Sequence, residues 1–253
     1  PLLETRYRLA RLRPPFGALD HLDLLFGARR LWRLRFESRR LADLEREVLG
    51  HEREGDIAGA LIPYVYFEYL RTGRAARLAA VFRHNATDIV SLAALTGIVG
   101  RAFQNPEDCE HLKGPELAGV ARWLQAAGET GRAMRLYRRA IDRGLPDDLL
   151  FRTLRDCALM AKREGRWEEA RSIFADLAES RNPFQVEALE ELAKHCEHAE
   201  RDYRVAITHA SAALRLNASE SLRKRHARLE RRLKKSTERR PNPGLATPPL
   251  PGT

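Results

Sequence analysis

The sequence predicts a mainly α-helical chain: Leu-rich helices with one short strand candidate over residues 1–104, followed by an α-solenoid of paired helices. Three observations predict it. Leu and Ala recur three and four positions apart along most of the 253 residues, the spacing of a helix with one apolar face. Between residues 112 and 217 a pattern of small and aromatic residues returns at a near-constant interval. Only one stretch, Asp20-His21-Leu22-Asp23-Leu24-Leu25, reads as a buried strand, being short and apolar.

In chain order, Leu2, Leu3, Tyr7 and Leu9 make an amphipathic opening helix that Pro14-Pro15 stops. The strand candidate leads into a helix through Arg29, Arg30 and Trp32. Ser38 suits the cap of a helix carrying Leu41, Leu44 and Val48, and Gly50 ends it. Pro63 fits the first residue of the next helix, ahead of Tyr64–Leu70, with Gly73 as its stop. Ala75–Phe103 reads as two helical pieces that break near His84-Asn85.

In residues 112–217, Gly128, Ala133, Tyr137 and Ala140 return as Gly165, Ala170, Phe174 and Leu177, a shift of 37 positions. Ala206, Ala210 and Ala213 form a weaker third copy, shifted by 36. A small residue followed four positions later by an aromatic ring suits a close helix–helix contact. Such pairs bury their faces only by stacking on their neighbours. The pattern resembles the tetratricopeptide repeat, with longer loops at Leu145-Pro146 and Asn182-Pro183. Residues 218–240 read as a basic capping helix with the narrow stripe Leu222, Leu229 and Leu233. Residues 241–253, rich in Pro, read as a disordered tail.

Charge is unevenly spread. Forty-five Lys and Arg face 35 Asp and Glu, a net +10, of which residues 1–105 carry +5 and residues 218–240 carry +7. An anionic partner suits both ends of the chain, although 39 of the basic residues are Arg, a skew that codon composition also produces. No apolar run reaches the roughly 18–20 residues that span a bilayer, so no membrane partner is expected. Cys109, Cys157 and Cys196 are odd in number and far apart, which fits a reducing cytoplasm and excludes a disulfide scaffold or zinc ribbon. Cys157 and Cys196 read as small core residues. His195 and His198 flank Cys196, too few ligands for a zinc site. No phosphate-binding loop, nucleophile elbow or His-Glu-x-x-His motif occurs. Arg29 and Arg30 suit phosphate contact and helix decoration equally.

The strongest local signal is His84-Asn85-Ala86-Thr87-Asp88. At a spacing of four, His84 and Asp88 leave one helix face a turn apart, where a carboxylate can hold a divalent cation beside an imidazole that moves protons. The same spacing also makes an ordinary ion pair or cap.

Around it stand Pro1-Leu2-Leu3-Glu4-Thr5-Arg6-Tyr7, His21-Leu22-Asp23-Leu24-Leu25, Ala28-Arg29-Arg30-Leu31-Trp32, Leu44-Glu45, Asp56-Ile57-Ala58-Gly59 and Asp88-Ile89 with Ser91-Leu92. In that order these motifs resemble the bacterial YprB-like ribonuclease H-fold exonuclease domain, a relative of the DEDD 3′–5′ exonucleases, over residues 1–104. The resemblance implies that residues 1–104 are the C-terminal part of an α/β ribonuclease H-like domain, with a nucleic-acid substrate (DNA or RNA) and two Mg²⁺ or Mn²⁺ ions held by four carboxylates. It implies Asp88 as a metal ligand and His84 as general base or water orienter. The gap between them matches the family's Tyr version of this motif, while the residue matches its His version. The family's first motif, Asp-x-Glu, and its second Asp would precede Pro1, so the resemblance implies an N-terminally truncated piece, inactive alone. Asp20 and Asp23 fall after the second motif, and Asp23 reads as structural. Two other classes compete: a non-catalytic adaptor whose repeats bind a protein or peptide, and a basic RNA-binding solenoid acting through residues 218–240.

Overall fold

The computed structural model describes residues 2–18 and 22–238; of Leu2 and Leu3 it describes the backbone only. The proposed tail, residues 241–253, and Asp20-His21 of the strand candidate lie outside the described residues. Among the described residues every regular element is helical. The chain divides into two compact units, Pro1–Arg143 and Gly144–Thr253, the division falling inside the stretch where the repeats occur.

In the first unit, α1 (Leu2–Leu9) ends before the two prolines. The strand expected at 20–25 is not formed where it is described. Leu22 is 76% exposed, and Leu24 and Leu25 already belong to α2 (Leu24–Trp32). Asp23 is the reason: its carboxylate accepts the backbone N–H of Leu25 at 2.9 Å and so starts a helix. The segment α3 (Leu41–Leu44) runs into a π-turn at Glu45–Leu49, which Gly50 ends in the left-handed conformation. Ser38 does not cap it; its hydroxyl donates to Asp43. α4 (Ile62–Thr72) begins one residue before Pro63 and stops at Gly73, the stop its sequence predicts.

α5 (Leu78–Gln104) is one continuous helix of 27 residues, so the break expected at His84-Asn85 is absent. Asn85 is exposed there and costs the helix little. By length and composition α5 is also apolar enough to cross a membrane, contrary to the sequence expectation, and only 22% of its apolar window is buried.

α2 packs on α5 and on α6 (Gly114–Ala126) through Ala28, Leu31 and Trp32. Glu116 ties the last contact. Buried at the first turn of α6, it accepts hydrogen bonds from Trp32 Nε1 (2.9 Å), Arg35 Nη1 (2.7 Å) and the backbone N–H of Lys113 (2.7 Å). Gly119 brings the backbones together, since a Cβ there would lie 2.5 Å from the carbonyl oxygen of Arg30. α7 (Thr130–Asp142) folds back on α6.

The second unit runs α8 (Asp147–Arg163), α9 (Trp167–Glu179), α10 (Gln185–His195), a π-turn at Cys196–Glu200, α11 (Tyr203–Leu216) and α12 (Glu220–Glu238). Each helix packs on its neighbour in sequence. The recurring residues face inward: Ala133, Tyr137 and Ala140, Ala170, Phe174 and Leu177, and Ala206, Ala210 and Ala213 are all buried. The turns recur as well. Gly128 and Gly165 are left-handed (φ 83° and 75°), and the following amides of Glu129 and Arg166 bond back to Leu124 and Ala161 at 2.9 Å. Thirty-six positions after Gly165, Arg201 takes the same conformation (φ 56°) without being glycine. α12 closes the unit with Leu222 and Leu229 buried on α10 and α11 residues.

Candidate functional site

The stretch around residues 45–56 and one face of α5 bring five ionisable groups together. The π-turn seats Glu45, and after Gly50 the loop carries Arg53 and Asp56 back toward α5, where His84 and Asp88 stand one turn apart. Arg53 is the hub. Its Nε and Nη2 fork onto Glu45, with Nη2 at 2.6 Å from Oε1, while Nη1 donates to Asp56 Oδ2 at 2.9 Å and Nη2 to Asp88 Oδ1 at 2.6 Å. His84 Nδ1 sits 2.8 and 2.9 Å from the two oxygens of Asp56 and 3.2 Å from Arg53 Nη1. Its other nitrogen, Nε2, is 3.6 Å from Asp88 Oδ2.

Burial and charge are graded across the cluster. The Glu45 side chain is 0% exposed and that of Asp88 32%, so Glu45 anchors the group and Asp88 is its most open member. Burial opposes the charge of Glu45, but the hydrogen bonds from Arg53 and Ser91 and the guanidinium charge outweigh it and hold the carboxyl below its ordinary value. Asp56 is treated likewise: burial raises it, and Arg53 and His84 lower it further. The carboxylates in turn push Arg53 upward, Glu45 most of all. Three carboxylates outnumber the one guanidinium and the one imidazole, so the cluster is negative. A cleft lined by His51, Arg53, Asp56, Arg83 and Thr87 opens beside it.

His84 and Asp88 therefore do share a site. Sequence reading missed the other three members, although Glu45 and Asp56 stand inside motifs it used and Arg53 is the one cation of the acid-rich run His51-Glu52-Arg53-Glu54-Gly55-Asp56. The arrangement makes Asp56 the partner that orients the His84 ring, leaving Nε2 to face Asp88. It does not make a metal cage. Asp88 Oδ1 and Glu45 are turned to Arg53, and no group of three or more His, Cys, Asp or Glu among the described residues is placed to hold an ion. These residues alone do not fit a pair of divalent cations. Asp23, capping α2, takes no part.

The cysteines stay outside the chemistry. All three are buried and unbridged. Burial raises the Cys109 thiol, and burial together with Glu200 pushes Cys196 up to about 12. His195 lies flat against Trp167, the ring centroids 3.9 Å apart, and burial lowers its pKa.

Comparison with known proteins bears on the same region. No solved structure matches the chain. Over 242 residues it is 32% identical to the uncharacterized protein YprB of Bacillus subtilis (strain 168), the match taking in 92% of this chain. The chain spans 57% of that relative's length. Residues 1–99, which hold all five members of the cluster, match the sequence model of the RNase H superfamily.

Proposed function

We propose that this chain is part of a metal-dependent, 3′–5′ exonuclease-like protein that hydrolyses phosphodiesters of nucleic acid, and that Asp88 and His84 are its contribution to the site. The observation that carries this reading is the coincidence of the superfamily match with a negative cluster that holds the His84–Asp88 pair on one face of α5. In the intact protein Asp88 would be a ligand of Mg²⁺ or Mn²⁺, with further carboxylates supplied by residues other than these. His84, fixed by Asp56, would hold a proton-accepting nitrogen beside it.

Residues 112–217 act in this reading as a tetratricopeptide-like module for a protein or peptide partner, closed by the basic helix of residues 218–240. The repeated left-handed turns and inward small-plus-aromatic residues support it. A cytoplasmic setting belongs to the same proposal, supported by three unbridged thiols.

The test is digestion of labelled single-stranded DNA and RNA by the full-length protein with Mn²⁺. Asp88→Ala is expected to lower the rate at least about 100-fold, and the present chain alone is expected to leave both substrates whole. Undiminished cleavage by the variant removes Asp88 from the site. A second, non-catalytic reading is favoured by one observation: Arg53 already pairs with the carboxylate that a metal would need. An adaptor of that kind shows no Mn²⁺-dependent cleavage at any length.

A further inference from the structure

Several arginines of the first unit have an acceptor. Arg35 meets Glu116, Arg53 its carboxylates, Arg77 meets Glu68, Arg132 meets Glu129, and Arg135 meets Glu107. Four without one gather in a single place. Arg29, Arg30, Arg33 and Arg122 line a groove between α2 and α6 together with Gly119 and Trp123. No side-chain hydrogen bond or ion pair is formed by any of the four among the described residues, and no carboxylate lines the groove.

Helix electrostatics explain part of this. Arg29 and Arg30 lie in the last turn of α2, and Arg33 follows it, where cations complement the carbonyl end. That account does not reach Arg122, which stands past the middle of α6 and opens on the same groove. Four like charges gathered without a counter-ion repel one another, and a polyanion relieves that repulsion. The groove is also built rather than incidental. Gly119 presses against the Arg30 carbonyl and keeps its floor bare backbone, and half-buried Trp123 is held edge-on to Phe103 with ring centroids 5.0 Å apart.

We propose that this groove binds the phosphate backbone of a single-stranded nucleic acid, the four guanidiniums meeting phosphates and Trp123 offering a ring face to a base. The choice of a nucleic acid among polyanions rests on the nuclease-like reading above; the charge of the groove does not.

The test is fluorescence anisotropy of labelled single strands of about 20 nucleotides with the 253-residue chain in EDTA, across a salt series. Arg33→Gln with Arg122→Gln is compared with Lys234→Gln with Lys235→Gln, which removes the same charge from exposed positions of α12. The groove variant is expected to bind about tenfold more weakly near 100 mM salt, and its slope of log K against log salt to shrink by about 1.4, at about 0.7 for each phosphate left without its cation. The α12 variant is expected to stay within about twofold with an unchanged slope. Arg33→Lys with Arg122→Lys is expected to restore the slope, which a folding defect would not do.

Equal losses in the two Gln variants, or no binding by the parent chain, overturn the proposal. So does displacement of the strand by inorganic pyrophosphate at equal phosphate concentration, which assigns the groove to a small anion. Binding is read in EDTA on the groove variants and cleavage in Mn²⁺ on Asp88→Ala, so a failed groove and a failed cleavage site give different results.

Discussion

Arg53 carries more of the first unit's electrostatics than any other single residue. Its planar fork meets Glu45, Asp56 and Asp88 at once, which the point charge of a lysine cannot do. Removing it leaves Glu45 buried without its guanidinium partner. Arg53→Met is therefore expected to cost about 3–5 kcal/mol in urea unfolding, with Arg53→Lys recovering little of it. The pH dependence follows from the same contacts. Glu45 and Asp56 have folded pKa values below their unfolded ones, so they contribute stability that is complete above the ordinary carboxylate value of about 4 and is lost as pH falls through the folded values. The difference in melting temperature between the chain and Arg53→Met should stay level from about pH 7 to 5 and narrow below about 4. It narrows because the carboxylates of the variant no longer gain on folding.

At the scale of elements, α12 shows how a basic helix is fixed to a fold. Glu197, fully buried in the π-turn after α10, accepts from Arg225 (3.0 Å), Arg228 (3.0 and 2.8 Å) and Arg232 (3.0 Å). Burial works against its charge, and Arg228 and its neighbours overcome it, holding the carboxyl below its ordinary value. Part of the positive charge that marks residues 218–240 in the sequence is thus spent on folding. Glu197→Gln should destabilise the second unit by about 3 kcal/mol and speed amide hydrogen exchange along α12 before other helices. The turn between α10 and α11 invites the opposite change. Arg201 occupies a left-handed position that Gly128 and Gly165 hold without strain, so Arg201→Gly should raise stability by about 1 kcal/mol, read as a higher urea midpoint.

Those elements also divide what sequence could tell from what it could not. The helices of the second unit are legible because each contact joins neighbours in sequence, so Ala170 and Phe174 or Ala206 and Ala210 declare their faces by spacing alone. At residues 20–25 an apolar run outweighed the Asp23 cap, a local signal that was present. His84 and Asp88 were visible as a helical pair. Glu45, Arg53 and Asp56 were not, because nothing in their spacing says that a loop returns to α5.

Across the whole molecule the two units differ in how they treat apolar surface. The second exposes few large apolar side chains, Val205 and Leu216 among the described residues, whereas the first leaves Phe26, Tyr64, Phe67, Phe82 (68%) and Val90 (69%) largely open to solvent. The difference follows from layering. Each helix from α8 to α12 lies on its neighbour, while α4 and much of α5 show a greasy side to water. Between α2 and α6, by contrast, the first unit is tightly knotted. Glu116 draws an indole, a guanidinium and a main-chain amide onto one carboxyl, so the two helices cannot spread without stripping Trp32 of its acceptor. With Trp123 and Trp167 replaced by Phe, the colour of the remaining Trp32 emission would report whether the walls of the arginine-lined groove have stayed together or parted.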